Sequence, residues 1–155
     1  MDWLTILFRA THVPAAIIWA GGAIFFSYYV EPTLAKLGPN AQPFADEIIN
    51  KRKAPVFFAI AATLTVVGGA FLYIKDAGGL QLWTSPSGWV FTIGAVCGII
   101  AWASGFILLG PAVKKVGEIG AEMQAAQDRV RQIGQIDTWL IIIAIFTMAT
   151  ARYFG

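Results

Sequence analysis

Only 13% of the 155 residues are charged, whereas 57% are hydrophobic. A soluble domain has about 25% charged residues, and a small chain needs many polar side chains to cover its surface. This composition excludes a water-soluble enzyme and a disordered chain. The formal net charge of +2 is too small to indicate a nucleic-acid partner. Cys97 is the single cysteine, so no disulfide can form within the chain.

Four apolar segments are each long enough to cross a bilayer, which takes roughly 20 helical residues. They cover about residues 4–30, 55–74, 88–110 and 138–154. The first segment lacks a basic N-terminal region and is too long for a cleaved signal peptide, so we expect it to be retained as a span. We therefore predict an all-α integral membrane four-helix bundle, with residues 1–155 forming a single membrane domain.

The basic residues predict the orientation of this bundle. Segments 31–54 and 111–137 hold four Lys and Arg residues each, which leaves three of the eleven elsewhere. The positive-inside rule places both loops in the cytoplasm and both termini outside it, as expected for a protein of a cell inner membrane. We expect both loops to be helical hairpins, turning at residues 38–40 and 117–120. In the second loop, apolar residues recur every three or four positions, which predicts a helix: Val116, Ile119, Met123, Ala126, Val130 and Ile133.

The first and third spans share a sequence pattern. WAGG at residues 19–22 is followed by PTLAKLG at 32–38, and WASG at 102–105 is followed by PAVKKVG at 111–117. The common order suggests that a two-helix transmembrane hairpin was duplicated, with the repeats related by an axis along the membrane normal. The alternative is convergent composition at two membrane boundaries.

Small residues indicate where helices approach one another closely. Gly94, Gly98, Ala101 and Gly105 share one face of the third span. The second span has a similar set at positions 61, 65, 68 and 69. Small residues at this spacing allow the backbone of a neighbouring helix to come near in a membrane, so we predict a tightly packed bundle.

Few residues in the spans can carry chemistry. An ionisable side chain inside a membrane is costly and is a functional candidate by default. Arg9 and His12 lie early in the first span, and Arg152 lies near the end of the fourth. At ~1.5 Å per residue, His12, Cys97 and Met148 lie at a similar depth on the extracytoplasmic side. This level also includes the glycine pair at 68 and 69.

Three interpretations of the residues that share this depth remain open. A haem b would use His12 as axial ligand, Met148 as a second ligand, and Arg9 or Arg152 for the propionates. A Cu(I) ion would take the soft set His12, Met148 and Cys97. Without a cofactor, His12 would be hydrogen-bonded inside the bundle, and Met148 and Cys97 would fill space.

Enzymatic activity has little support in the sequence. Asp2, Glu31, Asp76 and Asp137 all fall at span boundaries, so no pair of acids lies inside the predicted spans. The sequence also lacks a Ser/His/Asp set, a phosphate-binding glycine loop and a zinc motif. We therefore do not expect an enzyme by itself. A proton or ion transporter normally carries buried acids along its path, and we do not expect one here.

Residues 9–73 resemble the small CopD-like and HemJ-like four-helix membrane proteins. The resemblance rests on HVP at 12–14, IWAGG at 18–22, the exit at Glu31-Pro32, and NKRK at 50–53 before a second span that ends near Gly68-Gly69. It implies association with haem b or copper, with His12 matching the family histidine. HemJ-like proteins are linked to protoporphyrinogen oxidation and rely on a lysine in the third span, but residues 89–109 contain none. CopD-like proteins are linked to copper import through Met- and His-rich paths, which are sparse here.

Two functions follow from these observations. The first is a small membrane protein that holds one haem b, or copper, through His12 for electron transfer or haem handling. The second is a cofactor-free accessory or scaffold subunit of a larger membrane complex, whose partner surfaces are the small-residue faces and the apolar stripe at 116–133. Either protein has the lipid bilayer as a partner, and we expect a homo-oligomer or a larger assembly.

Overall fold

The computed structural model describes residues 2–75, 83–116 and 121–154. Within these ranges the chain forms helices joined by short turns, and no strand is present. The predicted all-α fold is therefore confirmed. Helix α1, Trp3–Phe25, begins at Asp2, whose side chain accepts a hydrogen bond from the backbone N–H of Leu4. Such a cap satisfies one of the free N–H groups in the first turn of a helix.

The first helix continues well beyond the predicted span. A π turn, Phe26–Val30, leads into α2, Glu31–Leu37. Pro32 has no N–H to donate, and the preceding Glu31 N–H instead reaches back five residues to the Phe26 carbonyl. Helix α2 ends at Gly38, which has a φ of +56° that glycine tolerates. The 3₁₀ turn Gly38–Ala41 follows, at the position where a turn is predicted in the first loop.

The remaining elements follow in the order that the sequence predicts. They are α3 (Gln42–Asp46), a π turn (Glu47–Lys51), α4 (Ala54–Lys75), α5 (Pro86–Ser104), a π turn (Gly105–Leu109), α6 (Gly110–Val116), α7 (Ala121–Thr150) and a 3₁₀ turn (Ala151–Tyr153). Helix α7 is longer than the predicted fourth span because the helix of the second loop runs into that span without a break. The predicted turn at 117–120 and the stripe residue Ile119 lie outside the described residues.

The first and third membrane-spanning helices, α1 and α5, are followed by the same local structure. In both, a π turn ends two residues before a proline, Pro32 or Pro111. In both, the residue before the proline donates its N–H to the carbonyl five residues back. A proline removes one helical donor, and a π turn satisfies the backbone around it. These are the two segments that the sequence analysis aligned as a repeat.

The packing is that of a membrane protein. In the described part of the chain, four helical segments are long and apolar enough to cross a bilayer: Trp3–Lys51, Ala54–Lys75, Pro86–Lys115 and Ala125–Tyr153. Among the described residues, every buried hydrophobic residue except Ile141 is an alanine. Large side chains such as Ile17, Ile107 and Phe146 point outward and are about 70% exposed. Small residues inside and large ones outside fit helices that pack in lipid.

The four long helices form a ring. Helix α1 packs along α4 and α5 along α7, while lighter α4–α5 and α1–α7 contacts close the circle. Ala20, Ala101 and Ile141 form a buried cluster at the centre. The two ends of the bundle are named after the parts of the chain that they contain. The terminal half contains the start of α1 and the end of α7. The loop half contains α2, α3 and α6.

Candidate functional site

His12 lies in the terminal half, between α1 and α4. Its Nδ1 is 2.7 Å from the carbonyl oxygen of Thr65. Because a carbonyl can only accept, Nδ1 carries the proton and donates this bond. The tautomer is therefore assigned from the partner, and Nε2 is left as the nitrogen with a lone pair. The imidazole is half-buried and fixed in direction by a backbone group of another helix.

The glycine pair of α4 is the surface on which this imidazole rests. A Cβ on Gly69 would lie 2.9 Å from the His12 Cε1 and 3.3 Å from its Nδ1. A Cβ on Gly68 would lie 3.1 Å from the His12 Cβ. Any side chain here would displace the ring or separate the two helices. The structure thus brings together two features that the sequence placed at one depth.

Met148 lies against a different helix. A Cβ on Gly94 of α5 would be 2.9 Å from the Met148 Cγ and 3.0 Å from the Ala144 carbonyl oxygen. Met148 therefore packs between α5 and α7, whereas His12 packs between α1 and α4. Cys97 is half-buried on α5. The described residues contain no group of three or more His, Cys, Asp or Glu side chains arranged to hold a metal ion.

The predicted glycine face of the third span is only partly a contact surface. Gly94 is in close contact with α7, but a Cβ on Gly98 or Gly105 would meet no atom within 4 Å. The prediction of close approach along the whole face was therefore wrong at these two positions. The reason is that α5 faces α7 at Gly94, whereas Gly105 lines a cavity.

The predicted arginines lie at the surface of the terminal half. Arg9 is exposed and one helical turn before His12. Arg152 is also exposed; it donates a 2.6 Å hydrogen bond to the Tyr153 hydroxyl and lies 4.8 Å from the centre of that ring. At the same end of the bundle, Lys75 forms an ion pair with Asp2. The hydrogen bond that the Lys75 ammonium donates within this pair lowers the pKa of Asp2.

A second candidate site occupies the loop half. A cavity of about 470 Å³ lies among α1, α3, α4, α5 and α7. All three π turns of the described chain contribute to its wall, and most of its lining is apolar. Six aromatic side chains of the described chain line it: Trp19, Phe26, Phe44, Phe58, Trp102 and Phe106. A π turn redirects the side chains that follow it and is often found at functional sites.

Two carboxylates also line this cavity. Asp137 is only 6% exposed, and its Oδ1 is buried with no hydrogen-bond partner. A side-chain hydrogen bond joins Asp137 to Ser104. Glu31 is half-buried, and its Oε1 also has no partner. In the sequence both residues fall at span boundaries, 106 positions apart, and no motif links them.

The spacing of residues along α7 is the sequence signal that could have identified Asp137 as a site residue. Gly134, Asp137, Thr138 and Ile141 lie at i, i+3, i+4 and i+7, so they share one helical face. This face of α7 is buried: Asp137, Thr138 and Ile141 are each at most 6% exposed. Thr138 is completely buried; its hydroxyl is 2.8 Å from the Ser27 Oγ and 2.7 Å from the Gly134 carbonyl oxygen. These hydrogen bonds hold Asp137 beside the first π turn.

Glu31 separates the cavity from a smaller cleft. This cleft of about 370 Å³ is lined by Glu31, Leu34, Gln127, Asp128 and Arg131, among others. Arg131 and Asp128 are close enough to act on the charge of Glu31, with opposite signs. Glu31 therefore has charged neighbours on the side of the cleft, whereas no lysine or arginine of the described chain forms an ion pair with Asp137.

No known protein family, curated protein or solved structure matches this chain. The function is therefore argued from the two sites.

Proposed function

We propose that this protein is a small polytopic protein of a cell inner membrane that holds one haem b through His12, for electron transfer or haem handling. The hydrogen bond from His12 Nδ1 to the Thr65 carbonyl is the observation that carries the proposal. Metal-ligating histidines almost always donate their second ring N–H to a carbonyl or carboxylate, which fixes the tautomer and orients the ligating nitrogen. His12 has this arrangement within the bundle.

The residues around His12 limit how a haem would be held. Met148 packs against Gly94, in the other helix pair, so the proposal does not use it as the second ligand. Neither cavity found among the described residues is lined by His12. The haem would then be held by His12 of one chain alone, or by His12 of two chains. Arg9, one turn away, would pair with a propionate. When bound, the haem would supply one-electron redox chemistry.

The same packing favours haem over copper. A Cu(I) site needs two or three soft ligands that converge on one point. His12 contacts α4, Met148 contacts α5, and Cys97 lies on α5. His12 therefore belongs to one helix pair and the two sulfur ligands to the other, whereas a single histidine is sufficient to hold a haem.

The topology is part of the proposal. We infer two similar transmembrane hairpins, α1 with α4 and α5 with α7, with cytoplasmic loops at 31–54 and 111–137. The matching π turns before Pro32 and Pro111 support the duplication, and the Lys and Arg content of the loops supports the orientation. His12 then lies toward the extracytoplasmic side and the cavity toward the cytoplasm.

The test is an oxidised-minus-reduced absorbance spectrum of protein purified gently from its native membrane. We expect a Soret band with sharp α and β bands. His12→Ala should remove them. His12→Asn is the sharper variant, because the asparagine amide can take the place of Nδ1 and keep the bond to Thr65, yet it has no counterpart of Nε2. It should insert and elute as wild type and lack pigment.

Two results would contradict the haem proposal. The first is a normal Soret band in His12→Asn. The second is a flat wild-type spectrum together with a blank metal analysis. In the second case, stoichiometric co-purification of other membrane subunits in mild detergent would favour the cofactor-free accessory subunit.

A further inference from the structure

We propose that the cavity of the loop half binds a lipophilic organic cation, with the cationic centre beside Asp137 and the apolar body among the aromatic rings. This site lies at the opposite end of the bundle from His12 and does not depend on haem binding. The volume of about 470 Å³ falls in the range of roughly 300–1,000 Å³ typical of small-molecule sites.

Asp137 supplies the counter-charge. It is more than nine-tenths buried, and its Oδ1 has no partner. Among the described residues no lysine or arginine is paired with it; its one polar contact on the described chain is with Ser104. A carboxylate in apolar surroundings is costly unless it is paired. A cation in the cavity would supply that pair.

The lining favours an organic cation over a metal ion. Trp19, Trp102 and Phe58 line the same cavity, and aromatic rings attract ammonium and similar cations when water is excluded. A metal ion would need several converging oxygen ligands. The described residues offer no group of three acidic or histidine ligands.

Two other charged side chains of the described chain, Glu31 and Lys114, contribute to the net charge of the cavity. Glu31 also lines it, but it is only half-buried and borders the charged cleft that contains Arg131 and Asp128. Lys114 lines the cavity as well, but it is exposed, so solvent screens it. Asp137 is then the main determinant of affinity for a cation, and Glu31 is a lesser one.

The site can be tested with tetraphenylphosphonium as the probe. Binding is measured by equilibrium dialysis against the full chain in lipid nanodiscs, with empty nanodiscs subtracted. Triphenylphosphine oxide serves as the neutral probe of similar shape. We expect Asp137→Asn to weaken tetraphenylphosphonium binding by about tenfold or more and to leave the neutral probe unaffected. Glu31→Gln should have a smaller effect, on the order of threefold.

Matched variants separate the cavity from the rest of the molecule. Asp46→Asn removes an exposed carboxylate at the same end of the bundle and should bind as wild type. His12→Asn should also bind as wild type, which distinguishes this proposal from the one on haem. Ala59→Phe places a ring in the cavity and should abolish binding of both probes.

The proposal fails if Asp137→Asn binds tetraphenylphosphonium as tightly as wild type, or if the neutral probe binds wild type as tightly as the cation. If Asp137→Asn does not elute as a folded protein, Ala59→Phe decides. Retained binding in a folded Ala59→Phe protein would place the probe outside the cavity.

Discussion

The two halves of the bundle are built from similar helices but pack in opposite ways. In the terminal half, Gly69 and Gly94 bring the helices so close that His12 and Met148 lie against bare backbone. In the loop half, the helices surround a cavity of about 470 Å³. All three π turns of the described chain line that cavity, whereas Gly69 and Gly94 lie in regular α-helix. Apolar composition alone therefore does not fix packing density.

The largest expected effect tests this contrast directly. Gly94→Leu should lower the free energy of unfolding by about 3 kcal/mol, because overpacking a close helix contact costs on the order of 1–3 kcal/mol. Ala59 lines the cavity, so Ala59→Leu should change the free energy of unfolding by less than about 1 kcal/mol. Both are measured by unfolding in the same detergent.

Gly98→Leu is the matched control on α5. Gly98 is one turn from Gly94, and a Cβ there meets no atom within 4 Å. It should have little effect on stability. If Gly94→Leu and Ala59→Leu lowered the free energy of unfolding equally, the two halves would be equally well packed. The contrast between them would then be wrong.

A smaller effect is expected at the boundary of the two halves. Thr138→Val should cost about 1 kcal/mol, since it removes a buried hydroxyl that bonds across helices. A double-mutant cycle with Ser27→Ala should give a coupling of about 0.6 kcal/mol, the average for such bonds in membrane helices. A coupling of zero would show that the 2.8 Å contact between these hydroxyls adds nothing to stability.

The smallest effect is a pH dependence at the end of the terminal half. The Lys75 hydrogen bond lowers the pKa of Asp2 below its usual value of 3.8. A lowered pKa in the folded state stabilises the protein above the unfolded pKa, and this contribution is lost as pH falls through the folded value. Asp2→Asn removes the charge and can still cap α1.

Wild type should therefore melt slightly above Asp2→Asn at about pH 6, and the two should melt together at about pH 2. The comparison uses thermal melts in one detergent at both values. A constant difference at both values would assign the effect to the cap and not to the ion pair.

Several parts of the molecule were predictable from local sequence. The spans follow from apolar runs, the end of α2 from Gly38, and the depth of His12 and of Gly68 from simple counting along helices. Each depends on residues near one another in the chain. The contact of Met148 with Gly94, and the open space beside Gly98, depend on how α5 is rotated against its neighbour, which a stripe of small residues does not specify.

The sequence by itself determined that the chain forms four apolar helices, because the free energy of burying an apolar segment in lipid is a sum over its own residues. It also determined that His12 is the one imidazole available. Only the tertiary structure decided that Nδ1 donates to Thr65 and that Asp137 lines a cavity with Glu31. The physical reason is that a hydrogen bond or a shared cavity depends on the positions of atoms from separate helices, and these are fixed when the helices pack.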